Sequence, residues 1–352
     1  MNNKIFFIGI FLIAILLLGC TQTNQQPAVK PQTVTENPKE QVTPVKTETA
    51  VTTGTTTTGT GGTLFLITDT ENSRVLEVKA SGEIVWQYGC DSINSNDYCE
   101  YGTGNKQLNK PHFATYKGDN ILITDKDNNK VIEVDRNKNI VWSYGGTEGF
   151  GDNQLNKPNS AVVLSDGNIL IADGINNRLI EVNKDKSVVW KYGCSDLSIA
   201  GKCLYGSDPG FLRNPNYATE LSNGDILITD SENNRIIEIN KSDDVIWEYK
   251  SGLNIPQSAN PTADDTILIA NYRNNNVLEV SKDKQVIWEM KGLKLPTFAT
   301  LTKTGTILIA DSYNNRIIEV NGDKNILTEI NDTTETVKPM FPLFRPQSAV
   351  MR

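Results

Sequence analysis

Short apolar runs, each broken by a polar turn, recur along this chain. In "ILITDSENNRIIEI" (226–239), two such runs flank a polar hexapeptide that starts at Asp230. The pattern returns as "FLITDTENSRVLEV" (65–78), "ILITDKDNNKVIEV" (121–134), "ILIADGINNRLIEV" (169–182), "ILIANYRNNNVLEV" (267–280) and "ILIADSYNNRIIEV" (307–320). The runs are too brief for helices, and no stretch of 63–352 carries helical periodicity, so each pair predicts a β-hairpin. The turn's first residue falls at Asp69, Asp125, Asp173, Asp230, Asn271 and Asp311, at intervals of 56, 48, 57, 41 and 40. Six units of this period predict an all-β, six-bladed β-propeller.

Each unit predicts two further strands. After the hairpin comes an apolar-aromatic string: "EIVWQY", "NIVWSY", "SVVWKY", "DVIWEY", "QVIWEM" and the degenerate "NILTEI". Before it comes a proline and a strand of small residues: "PHFATY", "PNSAVVL", "PNYATEL", "PQSAN" and "PTFATL". The first unit has no such leader, but "PQSAVM" (346–351) stands unused at the C-terminus. That strand is expected to enter the first blade and close the ring of antiparallel four-stranded blades, leaving no exposed edge at the junction. A blade packed on both faces accounts for the near-continuous apolar runs of its inner strands.

The string "YGGTEGFGDNQLNKPNSAVVLSDGNILIADGINNRLIEV" (144–182) resembles an NHL repeat, with its Gly-rich linker, its proline, "DGNILIAD" and "NNR". The resemblance extends over all six units, hence over residues 63–352. It implies the propeller fold. Its implications for function are broad, because that class holds binding modules, lactonases, lyases and sulfotransferase-like enzymes.

The first 62 residues read differently. Lys4 precedes an apolar run, Ile5–Leu18, that is short for a membrane span and suits a secretory signal (1–20). The run ends in "LLGC", which resembles a lipobox; lipidation of Cys20 is the expected consequence, the alternative being an uncleaved signal anchor. Residues 21–62 are rich in Thr, Gln and Pro and have too little apolar surface to offset ordering, so a disordered stalk is expected. These features place the propeller (63–352) outside the cytoplasm, held to the membrane by the lipid alone. A sequon at Asn331-Asp332-Thr333 fits that compartment.

Charge and cysteines narrow the picture. Residues 63–352 carry 30 basic and 39 acidic residues, a net charge of −9, with no basic run. That argues against nucleic acid and against adhesion to anionic lipid. Four cysteines form two local pairs, Cys90 with Cys99 and Cys194 with Cys203, each starting just after "W-x-Y-G". Spacings of nine are unlike zinc sites, and an exported domain favours two loop-closing disulfides.

The repeated residues read as architecture. An aspartate can accept turn N–H groups, Asn tolerates left-handed backbone, and Arg74, Arg178, Arg235 and Arg316 (Lys130 in the second unit) can pair with the aspartate. "DKDNN" at 125–129 imitates a calcium loop, but has no glycine at its sixth position and Arg136 where the bidentate Glu would stand. The glutamates at 77, 133, 181, 238, 279 and 319 suggest a structural ladder. Trp86, Trp142, Trp190, Trp247 and Trp288 suit the space between blades.

The start of the innermost strand is not uniform, and in a propeller it lies at the mouth of the central channel. The residue after the proline is His112, Asn159, Asn216, Gln257, Thr297 and Gln347 in turn; the next alternates Phe113, Ser160, Tyr217, Ser258, Phe298 and Ser348. This polar ring with interspersed aromatics is the candidate ligand site, suited to a carbohydrate, a peptide or a hydrated cation; the competing reading is a hydrated channel lining. His112, the chain's one histidine, is the candidate catalytic residue. No nucleophile–base–orienter set accompanies it, and the ring lacks carboxylates apart from Glu220 further along its strand, so no cofactor is expected and calcium is left open. The clipped insertions, 90–110 and 194–214, are expected on the same face, pre-organising a recognition surface. The expected role is a monomeric binding protein for a cell-surface protein, peptide or carbohydrate. The rival is a propeller enzyme of arylsulfotransferase-like or calcium-dependent lactonase-like type.

Overall fold

A computed structural model describes residues 62–93, 99–194, 203–331 and 343–352. The signal sequence, Cys20, the stalk and most of the sequon lie outside them.

The alternation read from the sequence becomes six antiparallel four-stranded sheets. Blade two is the template. Its inner strand Pro111–Lys117 pairs with Asn120–Asp125, then Lys130–Val134, and the outer strand Ile140–Gly145 completes it. Blades three to six repeat this order, starting near Pro158, Tyr217, Pro256 and Phe298. Blade one takes Leu64–Asp69, Arg74–Lys79 and Ile84–Tyr88 from the start of the described chain and its inner strand, Pro346–Met351, from the end. Phe65 is registered opposite Met351 and Ile67 opposite Ala349, and Thr68 Oγ1 meets Ser348 Oγ at 2.9 Å. The expected closure is present. Inner strands of successive blades pack on one another all the way around the axis.

The core lies between blades. Leu122, Val131 and Tyr144 of blade two pack on Ala161, Ile171 and Ile180 of blade three, all essentially inaccessible to solvent. Burial of that apolar surface, at roughly 25 cal/mol per Å2, is what holds adjacent blades together. The tryptophans seal the outer rim of four interfaces with backbone bonds. Trp86, Trp142, Trp247 and Trp288 each donate the indole N–H to a carbonyl of the next blade, at Arg136, Lys184, Lys282 and Gly322. Trp190 uses the Asp243 carboxylate instead.

The repeated hexapeptide fastens blades rather than binding a ligand. Its second Asn adopts left-handed backbone (Asn129, φ 52°; Asn177, φ 52°; Asn234, φ 53°) and ends a single 3-10 turn. From there its side-chain oxygen accepts the backbone N–H at the entry of the following blade: Lys157 at 2.8 Å, Asn214 at 2.9 Å, Ile255 at 2.7 Å, Leu295 at 2.8 Å and Arg345 at 3.1 Å. In blade one Ser73 replaces Asn, and its hydroxyl receives the Lys110 N–H at 3.4 Å. Within its turn the aspartate takes the side-chain amide of the first Asn rather than the expected backbone N–H, with Asn128 Nδ2 to Asp125 Oδ2 and Asn176 Nδ2 to Asp173 Oδ2 both at 2.7 Å. Asp125 Oδ1 accepts the N–H of Asn109, and Asp173 Oδ1 that of Asn156, both on the chain entering the inner strand of the same blade. The other oxygen takes the Arg, with Nε to Oδ2 at 2.7, 2.8, 2.6 and 2.8 Å in blades one, three, four and six.

Both predicted disulfides form, Cys90–Cys99 and Cys194–Cys203. The repeated glutamates are partnered: Glu77 by Tyr116 and Arg136, Glu133 by Lys117 and Asn120, Glu238 by Lys282.

Candidate functional site

Strand register sets the geometry of the mouth. Pro111 pairs with Asp125 and Phe113 with Thr124, so His112 between them has no ladder partner. The same one-residue bulge occurs at Asn159, Gln257 and Gln347. A bulge re-aims the extra residue out of the sheet, here into the channel mouth. Asn216 and Thr297 occupy the corresponding places just ahead of their strands, each donating its N–H to the neighbouring strand, at Thr229 O and Ala310 O. The structure thus brings all six ring residues together around one opening.

One layer deeper, Phe113, Tyr217 and Phe298 form a triangle with centroids 5.4 to 5.5 Å apart. The tilted and edge-on ring contacts are those aromatic pairs prefer. Ser160, Ser258 and Ser348 fill the alternate positions and are buried with them. The three rings close the channel and form the floor of the mouth, above which only about 10 Å3 remains, room for roughly one water.

Most ring donors clamp the next blade. His112 Nδ1–H donates to Asn159 O at 2.8 Å, Asn159 Nδ2 to Pro215 O at 2.9 Å, Asn216 Nδ2 to Gln257 O at 2.6 Å and Thr297 Oγ1 to Pro346 O at 3.3 Å. Gln257 and Gln347 turn back to the hydroxyls of Ser231 and Ser312. Acceptors are left over: among the described residues, His112 Nε2 and the amide oxygens of Asn216, Gln257 and Gln347 have no partner. Burial, helped by the nearby Lys126 cation and opposed by the bond to Asn159, lowers the His112 pKa to about 3. The imidazole is therefore neutral near pH 7, with Nδ1 protonated and Nε2 able only to accept.

Lys126 escaped the sequence reading. It begins the 3-10 turn of blade two, and burial lowers its ammonium to about 8, with Lys157 and Lys110 pushing the same way against Asp127. A signal was available. The residue after the hairpin's first position reads Thr70, Lys126, Gly174, Ser231, Tyr272 and Ser312, unlike the rest of the hexapeptide. Ser231 and Ser312 touch ring residues, and a Cβ on Gly174 would stand 2.3 Å from Asn159 Nδ2, so glycine there admits that amide. This position forms a second circle of variable residues around the mouth.

The chemistry on offer is recognition by acceptors and one cation. Among the described residues no group of three or more His, Cys, Asp or Glu side chains converges, and the ring's oxygens are amides and hydroxyls next to Lys126. That donor set does not suit calcium, which takes six to eight oxygens with carboxylates among them. Glu220 is engaged elsewhere, accepting from Ser165 N and Oγ. The described parts of both clipped insertions meet the hairpin turns of the mouth face, where Asn128 Nδ2 donates to Gly102 O and Asn233 Nδ2 to Gly206 O.

No protein-family model matches the chain, and no curated protein is similar to it. Solved structures similar in fold include a protein of unknown function from Bacteroides caccae, 13% identical, with a TM-score of 0.59, covering 83% of this chain and 99% of its own. A catalytically inactive virginiamycin B lyase from Staphylococcus aureus, solved with quinupristin, is 19% identical with a TM-score of 0.50 and covers 76% of this chain and 85% of its own. A streptogramin B lyase is 19% identical with a TM-score of 0.48, over 62% of this chain and 67% of its own. At these identities the likeness is one of fold, and the chain belongs with six-bladed β-propellers.

Proposed function

We propose that this protein is an NHL-type propeller lipoprotein, anchored outside the cytoplasm through Cys20, that binds a peptide or carbohydrate on its channel-mouth face. The observation that carries the reading is the pattern of use in the ring. Most of its donors fasten blades together, while acceptors at His112, Asn216, Gln257 and Gln347 stay without a partner among the described residues, around the mouth above the aromatic floor. Such a dish suits a ligand that supplies N–H or O–H groups and rests on the mouth rather than entering it. The disulfides support an oxidising compartment. The enzyme reading rests on His112, and a neutral imidazole with a pKa near 3 and a committed Nδ1 is poorly matched to general acid–base work at neutral pH.

The test is a paired screen of the labelled protein on glycan and peptide arrays, wild type against Gln257→Ala/Gln347→Ala. Ligands lost by the variant support the reading, and ligands that bind both equally overturn it. Separately, a His112→Ala variant that abolishes turnover of an identified substrate would move the protein to the enzyme class.

A further inference from the structure

Blades two, three and four share one loop at their entries, but only two of them fill the space beneath it. In blade three, Gly149 N–H bonds Leu155 O and Gly151 N–H bonds Gln154 Oε1; blade two repeats both bonds at Gly102–Leu108 and Gly104–Gln107. Under the loop of blade three lies the Arg178 guanidinium. It donates Nε to Asp173 Oδ2 at 2.8 Å, Nη1 to Phe150 O at 2.6 Å and Nη2 to Gln154 O at 3.1 Å. Arg235 of blade four does the same with Asp230, Ser207 O and Phe211 O, at 2.6, 2.7 and 3.0 Å.

Blade two has Lys130 at this place, directly opposite Asp125 in the ladder, and no salt bridge joins them. Thr103 and Gln107, which match Phe150 and Gln154 in the shared loop, have carbonyls without a partner among the described residues. A cavity of about 190 Å3 opens here, bounded by Asp125, Thr103, Gln107 and Lys130 and continuing past Ile132 and Ile140. We propose that this cavity is a binding site for a guanidinium group. Asp125 Oδ2 and the carbonyls of Thr103 and Gln107 form the acceptor set that two sister blades use for an arginine of their own. Planar fork geometry favours guanidinium over a simple ammonium there. The apolar wall at Ile132 and Ile140 suits the methylene stem of such a ligand, and the flexible Lys130 chain can release its ammonium to solvent. In support, Asp125 is 2% exposed, and burial without a bonded cation raises its carboxyl to about 7.

Two sources share this chemistry, a free guanidino compound and an arginine side chain of a peptide. The intact protein is titrated calorimetrically, at about pH 8 and low ionic strength, with agmatine and with N-acetylarginine amide; n-butylamine is the control. The proposal predicts saturable one-to-one binding of at least one guanidino probe, at least tenfold tighter than n-butylamine, and the tighter probe identifies the source. Lys130→Arg should place the protein's own guanidinium in the cavity, weaken the probe at least tenfold and raise Tm by about 2–4 °C. Because Lys130→Arg restores the arrangement of blades three and four, it keeps the test valid should Asp125→Asn fold poorly. No saturable binding by the wild type, or binding that Lys130→Arg leaves unchanged, overturns the proposal. The mouth variants do not touch this cavity, so the two functional readings fail independently.

Discussion

The backbone N–H of Phe344 donates to Asp69 Oδ1 at 2.8 Å, joining residues 275 positions apart. Asp69 thereby holds the returning C-terminal strand with one oxygen and Arg74 with the other. Deleting residues 343–352 should leave blade one with three strands and abolish cooperative thermal unfolding; a truncated protein that melts like the wild type would refute closure. Asp69→Ala removes the buried carboxylate that Arg74 Nε and the Phe344 N–H share and should cost about 3–5 kcal/mol in a denaturant titration.

The aromatic triangle can be tested by truncating one corner. Phe113→Ala removes a ring that is 4% exposed and packed on Tyr217 and Phe298. The expected loss is about 3–5 kcal/mol. A loss below about 1 kcal/mol would mean that the rings do not close the channel cooperatively.

Asp125 makes stability depend on pH near neutrality. Its folded carboxyl is raised from 3.8 to about 7, so the folded state binds more protons than the unfolded state between these values. The stabilising contribution is complete below about pH 4 and is lost as pH rises through 7. Tyr88, Asp127 and Lys130 are the charged or titratable groups acting with it. Melting between pH 5 and 8 should therefore show a falling Tm whose slope is reduced in Asp125→Asn; equal slopes would count against the assignment.

For His112 the measurement is direct. Proton–nitrogen correlation of the imidazole should show a neutral ring carrying the proton on Nδ1, unchanged from about pH 8 to 5. A midpoint near 6.5 would restore His112 as a general base.

The two disulfides close short local loops. Loop-closure entropy assigns each about 2–3 kcal/mol at most. Cys194→Ser/Cys203→Ser should therefore keep the propeller's circular dichroism and lower stability in a denaturant titration by no more than about 3 kcal/mol; loss of the folded spectrum would show that the fold depends on the bridge.

Much of this architecture was legible because each blade repeats its own evidence. Asp, Asn and Asn in five or six copies, with Arg in four, could not be one ligand site, and Pro346 to Met351 had one vacancy to fill. The ring residues were legible from their position after proline. Two things were not. Phe113, Tyr217 and Phe298 read as mouth residues, and they do line it, but their contact with one another to form its floor could not be seen in the sequence. Lys130 read as a conservative stand-in for Arg. Only the carbonyls of a loop distant in sequence reveal that lysine leaves the space unfilled.

The fasteners between blades are not of equal strength. Five use an asparagine oxygen at 2.7 to 3.1 Å, and the sixth, Ser73 to Lys110, stretches to 3.4 Å. That longer bond joins blade one, in which the C-terminal strand closes the ring, to blade two. Blade one makes up for it with Tyr116 and Arg136 on Glu77, Thr70 on the Pro111 carbonyl and Arg352 on Asp119, so the blade that carries both ends of the described ring is tied to its neighbour chiefly by side chains.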